Sequence, residues 1–230
     1  MKTWSKTKII ATLGPASSSK EVLTEMIMAG VDVCRVNSSH GNYDQHQKVI
    51  DIIREINKEH RLNTAILVDL QGPKLRIGVM KNNEAFLENG KEIIISTEEC
   101  EGTAEKVFMT YPEFPKDVAV GDKVLIDDGK IELRVIATDR DKTVKAVIIN
   151  GGILTSKKGV NLPNTKISLP CLTAKDLEDL DFALKNNVEW IGLSFVRSVT
   201  DIVDLKEIIK RQGKTSRVVA KNKKPEAIAE

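Results

Sequence analysis

Along the first part of the chain, short apolar runs alternate with segments whose apolar residues return every third or fourth position. Residues 8–13 (Lys-Ile-Ile-Ala-Thr-Leu) predict a strand, stopped by Gly14-Pro15. Ser18-Ser19-Lys20-Glu21 then has the pattern of a capping box, in which Ser18 and Glu21 can satisfy the first free amides of a helix. Leu23, Met26 and Ile27 form its apolar stripe and Gly30 ends it. Residues 31–36 predict a buried second strand, and Val49, Ile52, Ile53 and Ile56 mark a second helix after Asp44. Residues 65–68 predict a third strand, running into Asp69-Leu70-Gln71-Gly72-Pro73. Strands apolar on both faces, separated by amphipathic helices, predict an α/β fold with a parallel sheet covered by helices.

The rhythm changes between residues 77 and 169, where no helical period stands out. Residues 92–96, 123–126, 131–137 and 143–149 are β-rich, and Asn89-Gly90, Gly121-Asp122, Asp128-Gly129 and Asn150-Gly151-Gly152 supply turns between such runs. This predicts a small all-β domain inserted after the third strand. The α/β pattern resumes at Thr173-Ala174-Lys175-Asp176, a second capping-box pattern, followed by a stripe of Leu177, Leu180 and Leu184. Residues 188–195 predict a fourth strand leading into Val196-Arg197. Ser198 to Asp201 caps a helix carrying Ile202, Leu205, Ile208 and Ile209, and residues 217–221 predict a fifth strand. Expected domains are therefore 1–71, 72–169 and 170–230, the first and last forming one sheet. Five parallel strands suit either a small open sheet or the first part of an eight-stranded barrel, whose fifth strand would then keep an unpaired apolar edge.

In parallel α/β folds, ligands bind where the strands end. That rim collects Thr12, the run Arg35-Val36-Asn37-Ser38-Ser39-His40-Gly41, Asp69, Lys74, Arg76, Ser194, Arg197 and Lys221. Taken singly each has a plainer reading: a polar loop closed by a glycine turn, a solvated basic loop, a strand-end lysine lying along apolar surface. Cations from several strand ends at one mouth would together suit a polyanion such as a phosphate ester. Gly151, Gly152 and Gly159 match neither the dinucleotide nor the nucleoside-triphosphate glycine spacing and read as turn residues, although Lys157-Lys158 beside them could reach a phosphate. Composition narrows the rest. A net charge of +2 with 4% aromatics argues against a nucleic-acid partner. Cys34, Cys100 and Cys171 are widely spaced and odd in number, which reads as reduced thiols, Cys34 in the core. No apolar run is long enough to span a membrane and the N-terminus lacks a signal-peptide core, so a cytoplasmic protein is expected.

The motifs, taken in order, resemble one family. The runs at 8–15, 35–41, 69–76 (Asp-Leu-Gln-Gly-Pro-Lys-Leu-Arg), 157–163 (Lys-Lys-Gly-Val-Asn-Leu-Pro) and 194–197 (Ser-Phe-Val-Arg) are similar to those of the N-terminal part of pyruvate kinase, of bacterial type. The resemblance implies a (β/α)8 TIM-type barrel, incomplete here at about five strands, with the β-rich insertion as a small all-β barrel acting as a lid. It implies transfer of the phosphoryl group of phosphoenolpyruvate to ADP, giving pyruvate and ATP in glycolysis, with Mg2+ and often K+, in an enzyme that is usually a homotetramer. By resemblance, Arg35 and Lys221 are catalytic: Arg35 grips the phosphate being transferred and Lys221 stabilises its charge. Asn37 joins the substrate-binding positions, His40 and Arg76 face the nucleotide phosphates, and Lys158 approaches from the lid.

Asn37, Ser39, Asp69 and the Leu70 carbonyl match the family's potassium pocket. The chain departs from the potassium-requiring members at Leu70, Gln71 and Lys74, and the Lys74 ammonium can supply the charge of the ion, so K+ is expected not to be required. A second departure concerns magnesium: Lys223 stands at the position of a metal-binding Glu, beside Asn222 in place of an apolar residue. The second magnesium carboxylate falls beyond residue 230. The expectation is a shortened chain, inactive alone. The alternative is a non-catalytic phosphometabolite-binding or interaction module.

Overall fold

The computed structural model describes residues 6–221. The chain forms two compact units, one made of the chain up to Pro73 and from Cys171 onward, the other of Lys74–Pro170. The first unit opens with β1 (Ile10–Thr12), α1 (Lys20–Ala29), β2 (Val33–Asn37), α2 (Tyr43–His60) and β3 (Ala65–Asp69). The second unit contains β4 (Glu84–Leu87), β5 (Glu92–Ser96), β6 (Lys106–Phe108), the short α3 (Phe114–Asp117), β7 (Lys123–Ile126), β8 (Ile131–Thr138), β9 (Thr143–Asn150), β10 (Gly152–Thr155) and β11 (Val160–Asn161). The first unit is then completed by α4 (Ala174–Lys185), β12 (Trp190–Leu193), α5 (Val199–Arg211) and β13 (Arg217–Ala220).

In the first unit all strand pairs are parallel, in the order β1-β2-β3-β12-β13. Alternation along each strand divides the side chains between two faces. Cys34, Val36, Ile66, Val68, Ile191 and Leu193 join Leu23, Ile27, Ile50, Ile53, Leu180 and Leu205 of the helices in one core. The alternate positions, among them Arg35, Asn37, Leu67, Asp69 and Gly192, therefore lie on the opposite face. The parity of β2 and β3 thus decides that the polar residues at their C-terminal ends share a face.

Three helices begin on reciprocal caps: Asn42 with Gln45, Thr173 with Asp176, and Ser198 with Asp201. The start of α1 differs from the sequence expectation. Its N-cap is Ser19, accepting from the Val22 amide, whereas Ser18 donates to the Pro15 carbonyl. Pro15, with its fixed φ, opens a 3-10 turn over Pro15–Ser17, which shifts the helix start by one residue and leaves Glu21 out of any box. The strands are also trimmed. The Val31 and Val188 amides each bond back to the preceding helix, to Met26 and Ala183, so β2 and β12 start two residues later than their apolar runs suggest.

The second unit holds a six-stranded sheet, β11-β7-β8-β9-β5-β6, in which only β5 and β6 pair in parallel, and an antiparallel ribbon of β4 and β10. Its own core includes Ile77, Met80, Ile93, Tyr111, Phe114, Val124, Leu133 and Ile148. Where β9 turns into β10, Gly151 packs directly on β4's far end: a methyl group there would lie 2.0 Å from the Leu87 carbonyl oxygen. The chain's return is clasped by polar contacts, with Ser168 donating its amide to Tyr111 Oη and its hydroxyl to Asp117.

Two predictions follow from this packing. Gly151→Ala should cost about 3 kcal/mol, because backbone has to move to admit the methyl, whereas Gly159→Ala, which meets open space, should stay within about 1 kcal/mol of the parent; urea unfolding compares them. Burial pushes the Cys34 thiol up to about 11 and the Cys171 thiol up to about 12, the latter aided by the nearby Asp201 charge. Since the thiolate is the reactive form, a disulfide reagent at pH 8 should titrate one thiol quickly, the less buried Cys100, and the other two only after unfolding.

Candidate functional site

Residues in or just past all five strands of the first unit meet at one buried carboxylate. Asp69, the last residue of β3, is 2% exposed. Its Oδ2 accepts from Arg35 Nε at 2.8 Å, from Arg35 Nη2 in a shorter contact, and from Lys221 Nζ at 2.7 Å. Its Oδ1 faces Lys221 Nζ at 2.5 Å, held there by charge, since no well-directed hydrogen bond reaches it. Arg35 Nη1 donates to Thr12 Oγ1 at 2.8 Å, which brings in β1. Gly192 on β12 lies against the other side of the carboxylate, where a methyl group would come within 2.8 Å of Oδ1.

This placement follows from local structure. Asn37 pairs with Asp69 and Gly192 with Asp69 across the sheet, so the strands end level and on the same face. A buried carboxylate is tolerable only when paired and hydrogen-bonded. With two cations it is over-compensated, and the cluster carries a net positive charge that faces the mouth of the sheet.

The turn after β2 sits beside it. The Ser38 amide donates to the Asp69 carbonyl at 3.1 Å, the Ser39 amide to Asn37 Oδ1 at 3.1 Å, and the His40 amide to the Asn37 carbonyl at 3.2 Å. The His40 side chain is exposed, and its carbonyl lies 2.9 Å from His46 Nε2. After β3, the Leu70 carbonyl accepts from Ser194 Oγ at 2.7 Å. The monovalent-cation positions Asn37, Asp69 and Leu70 therefore each have an acceptor engaged by the protein, and Asp69 already faces two cations. A further cation beside Asp69 would lie close to the Lys221 ammonium and the Arg35 guanidinium.

Other expected residues belong to the second unit. Arg76 donates from Nη1 to the Lys157 carbonyl at 2.8 Å and from its amide to Thr110 Oγ1 at 3.0 Å. Lys158 Nζ lies 2.9 Å from Asp127 Oδ1, with Lys130 Nζ at 3.1 Å from Oδ2. Lys158 first and Lys130 second hold the Asp127 carboxyl below its ordinary range. Lys74 opens this unit. A cleft of about 530 Å3 within it is lined by Arg76, Lys157, Thr110, Phe108, Cys100 and Glu101. Lys223 and Asn222 lie outside the described residues. Among those described, no three His, Cys, Asp or Glu side chains come close enough together to hold a metal ion.

Sequence reasoning missed two supporting residues. Asp176, fully buried, closes the expected cap with Thr173 and also accepts from the Gly72 amide at 3.0 Å, fixing the loop after β3. Asp179, 2% exposed, accepts from Tyr43 Oη at 2.8 Å and from Lys175 Nζ at 2.6 Å. The available signal was Asp179 itself, a carboxylate on the apolar side of α4 next to Leu180.

The sequence is similar to one family of known proteins. A family model described as "Pyruvate kinase, barrel domain" matches residues 4–230. Pyruvate kinases of Staphylococcus aureus strains USA300, NCTC 8325 and COL are each 45% identical over 224 residues, which is 97% of this chain. The chain spans 38% of the length of each of these relatives.

Asp69→Asn should destabilise the first unit by about 2 kcal/mol, the usual cost of breaking a buried pair reduced because Arg35 and Lys221 remain 27% and 28% exposed. Chemical denaturation checks it.

Proposed function

The chain belongs to the pyruvate kinase family, and from that premise we propose that it supplies the phosphate-gripping wall of an enzyme moving the phosphoryl group of phosphoenolpyruvate to ADP. The observation that carries this reading is the Arg35–Asp69–Lys221 cluster, two cations fixed by one buried carboxylate at the strand ends. In this reading the five parallel strands are the first part of a (β/α)8 barrel, and Lys74–Pro170 is the β-rich lid inserted after its third strand. The setting is cytoplasmic glycolysis.

The chemistry suits what these residues offer. Phosphoryl transfer is catalysed mainly by positioning and by neutralising charge on the transferring group. Arg35 presents a planar donor fork to the phosphate of phosphoenolpyruvate, and Lys221 a point charge to the same group. Asp69 orients both. His40 and Arg76 serve the nucleotide phosphates, and Lys158 reaches them from the lid after exchanging its Asp127 partner for phosphate. In this reading the site works without K+, the charge of the ion being supplied by Lys74, in keeping with the departures at Leu70, Gln71 and Lys74. Binding by the described residues is also compatible with a phosphometabolite-binding module.

Titration calorimetry with phosphoenolpyruvate tests the proposal. Binding is expected, and Arg35→Met and Lys221→Met should each weaken it at least about tenfold, as loss of a charge-assisted hydrogen bond implies. Exchanging tetramethylammonium for potassium at constant ionic strength should leave it unchanged. Equal binding by the parent and Arg35→Met would overturn the reading. In a coupled assay of pyruvate formation from phosphoenolpyruvate and ADP this chain alone should show no turnover, and turnover would overturn that expectation.

A further inference from the structure

We propose that Asp179 of α4 is a positioning residue for the turn after β2, the turn that carries Asn37, Ser39 and His40. The proposal rests on the reading of this rim as a phosphate site and adds to it the device that holds the rim in place.

For the helix itself a carboxylate at this position offers one ion pair with Lys175, which would form as well on an exposed face. Asp179 is the sixth residue of α4, past the first turn in which the helix dipole favours an acid. It shares the buried side of the helix with Leu180, Ala183 and Leu184, where an apolar residue would pack at lower cost. What it has instead is a set of partners outside the apolar core. Tyr43, the first residue of α2, stacks on Phe182 with ring centroids 4.9 Å apart, and its hydroxyl donates to Asp179 Oδ1 at 2.8 Å. Lys175, one turn earlier on α4, binds both Asp179 oxygens at 2.9 and 2.6 Å and reaches the Ser38 carbonyl at 3.4 Å.

Asp179 therefore grips the turn at both ends. Through Tyr43 it fixes the point where the turn enters α2. Through Lys175 it fixes the Ser38 carbonyl, while the Ser38 amide is held by the Asp69 carbonyl. Ser38 is 6% exposed and is thus pinned from two directions, with Asn37 on one side and Ser39 and His40 on the other. The Tyr43 phenol is pushed up to about 12, by loss of hydration first and by Asp179 second, so it remains a donor throughout the working pH range.

Amide hydrogen exchange tests this directly, because the Ser38, Ser39 and His40 amides are all hydrogen-bonded and report on the turn. Asp179→Asn and Tyr43→Phe should each speed exchange at residues 38–43 by about tenfold, the scale of one lost hydrogen bond to a charged group, with β2 and β3 unchanged. Asp181→Asn, an exposed acid of the same helix paired with Lys185, should leave the turn unchanged. Asp179→Asn should also weaken phosphoenolpyruvate binding severalfold, and Asp179→Glu should restore part of it. If Asp179→Asn fails to fold, Tyr43→Phe carries the test, since Tyr43 as a residue is 41% exposed. Exchange that does not rise in the turn, or rises there only in step with β2 and β3, overturns the proposal. A parent chain that binds no phosphoenolpyruvate overturns the functional reading alone, and the exchange comparison still decides the role of Asp179.

Discussion

The first unit depends on one buried negative charge. Asp69 ends the central strand of a parallel sheet, on the face opposite the helix-packed core, and its carboxylate is almost without solvent. Left alone it would be neutralised or would unfold its surroundings. The sheet answers with two cations, Arg35 within β2 and Lys221 just past β13. Gly192, in the middle of an otherwise bulky strand, has its explanation here too, since any side chain would displace the carboxylate. The same residues thus satisfy a folding constraint and leave positive charge at the mouth. That coincidence is why a site of this kind can be rigid before any ligand arrives.

Around this centre α4 acts as a polar brace. Asp176 and Asp179 are both buried, one turn apart, and each holds a different rim loop, the Gly72 amide in one case and Tyr43 in the other. A helix packed only by leucines would fix its own position but not the conformation of neighbouring loops, because apolar contact is non-directional. Carboxylates accept from particular donors at particular angles, so they transmit the rigid geometry of a helix to backbone that has no secondary structure of its own. Asp176 does this where the chain is about to leave for the second unit, closing its own helix cap and the departing loop with one side chain.

Much of the scaffold could be read from periodicity. The five strand cores, the apolar stripes of α1, α2, α4 and α5, and the caps at Thr173 and Ser198 all come from short-range patterns, and short-range patterns are what a sequence displays openly. What stayed hidden depends on partners distant in the chain. Glu84–Leu87 alternates in burial, but its outward position holds the apolar Phe86, so the sequence shows no polar–apolar alternation and its pairing with Gly152–Thr155 left no local mark. Ser18 looked like a cap until Pro15 drew the chain into a 3-10 turn. At the site, Arg35, Asp69 and Lys221 could be singled out as strand-end residues, but that Asp69 spends itself on the other two is a matter of residues 34 and 152 positions apart. Asp179 was passed over because a polar residue within a leucine stripe reads as the edge of the stripe rather than as a buried anchor.

The cluster also sets how a phosphate could be received. A guanidinium has five N–H donors. Arg35 directs Nε and one Nη2 hydrogen at Asp69 and one Nη1 hydrogen at Thr12, which leaves a hydrogen on each terminal nitrogen for a ligand. The Lys221 ammonium has three donors and directs its contacts at a single carboxylate. An incoming anion therefore has no need to break the Asp69 pairs. It meets donors already aligned, and it offsets the positive charge that Asp69 leaves uncompensated. The entropy of ordering two long basic side chains is lost on folding rather than on binding, which is where preorganisation gains its advantage.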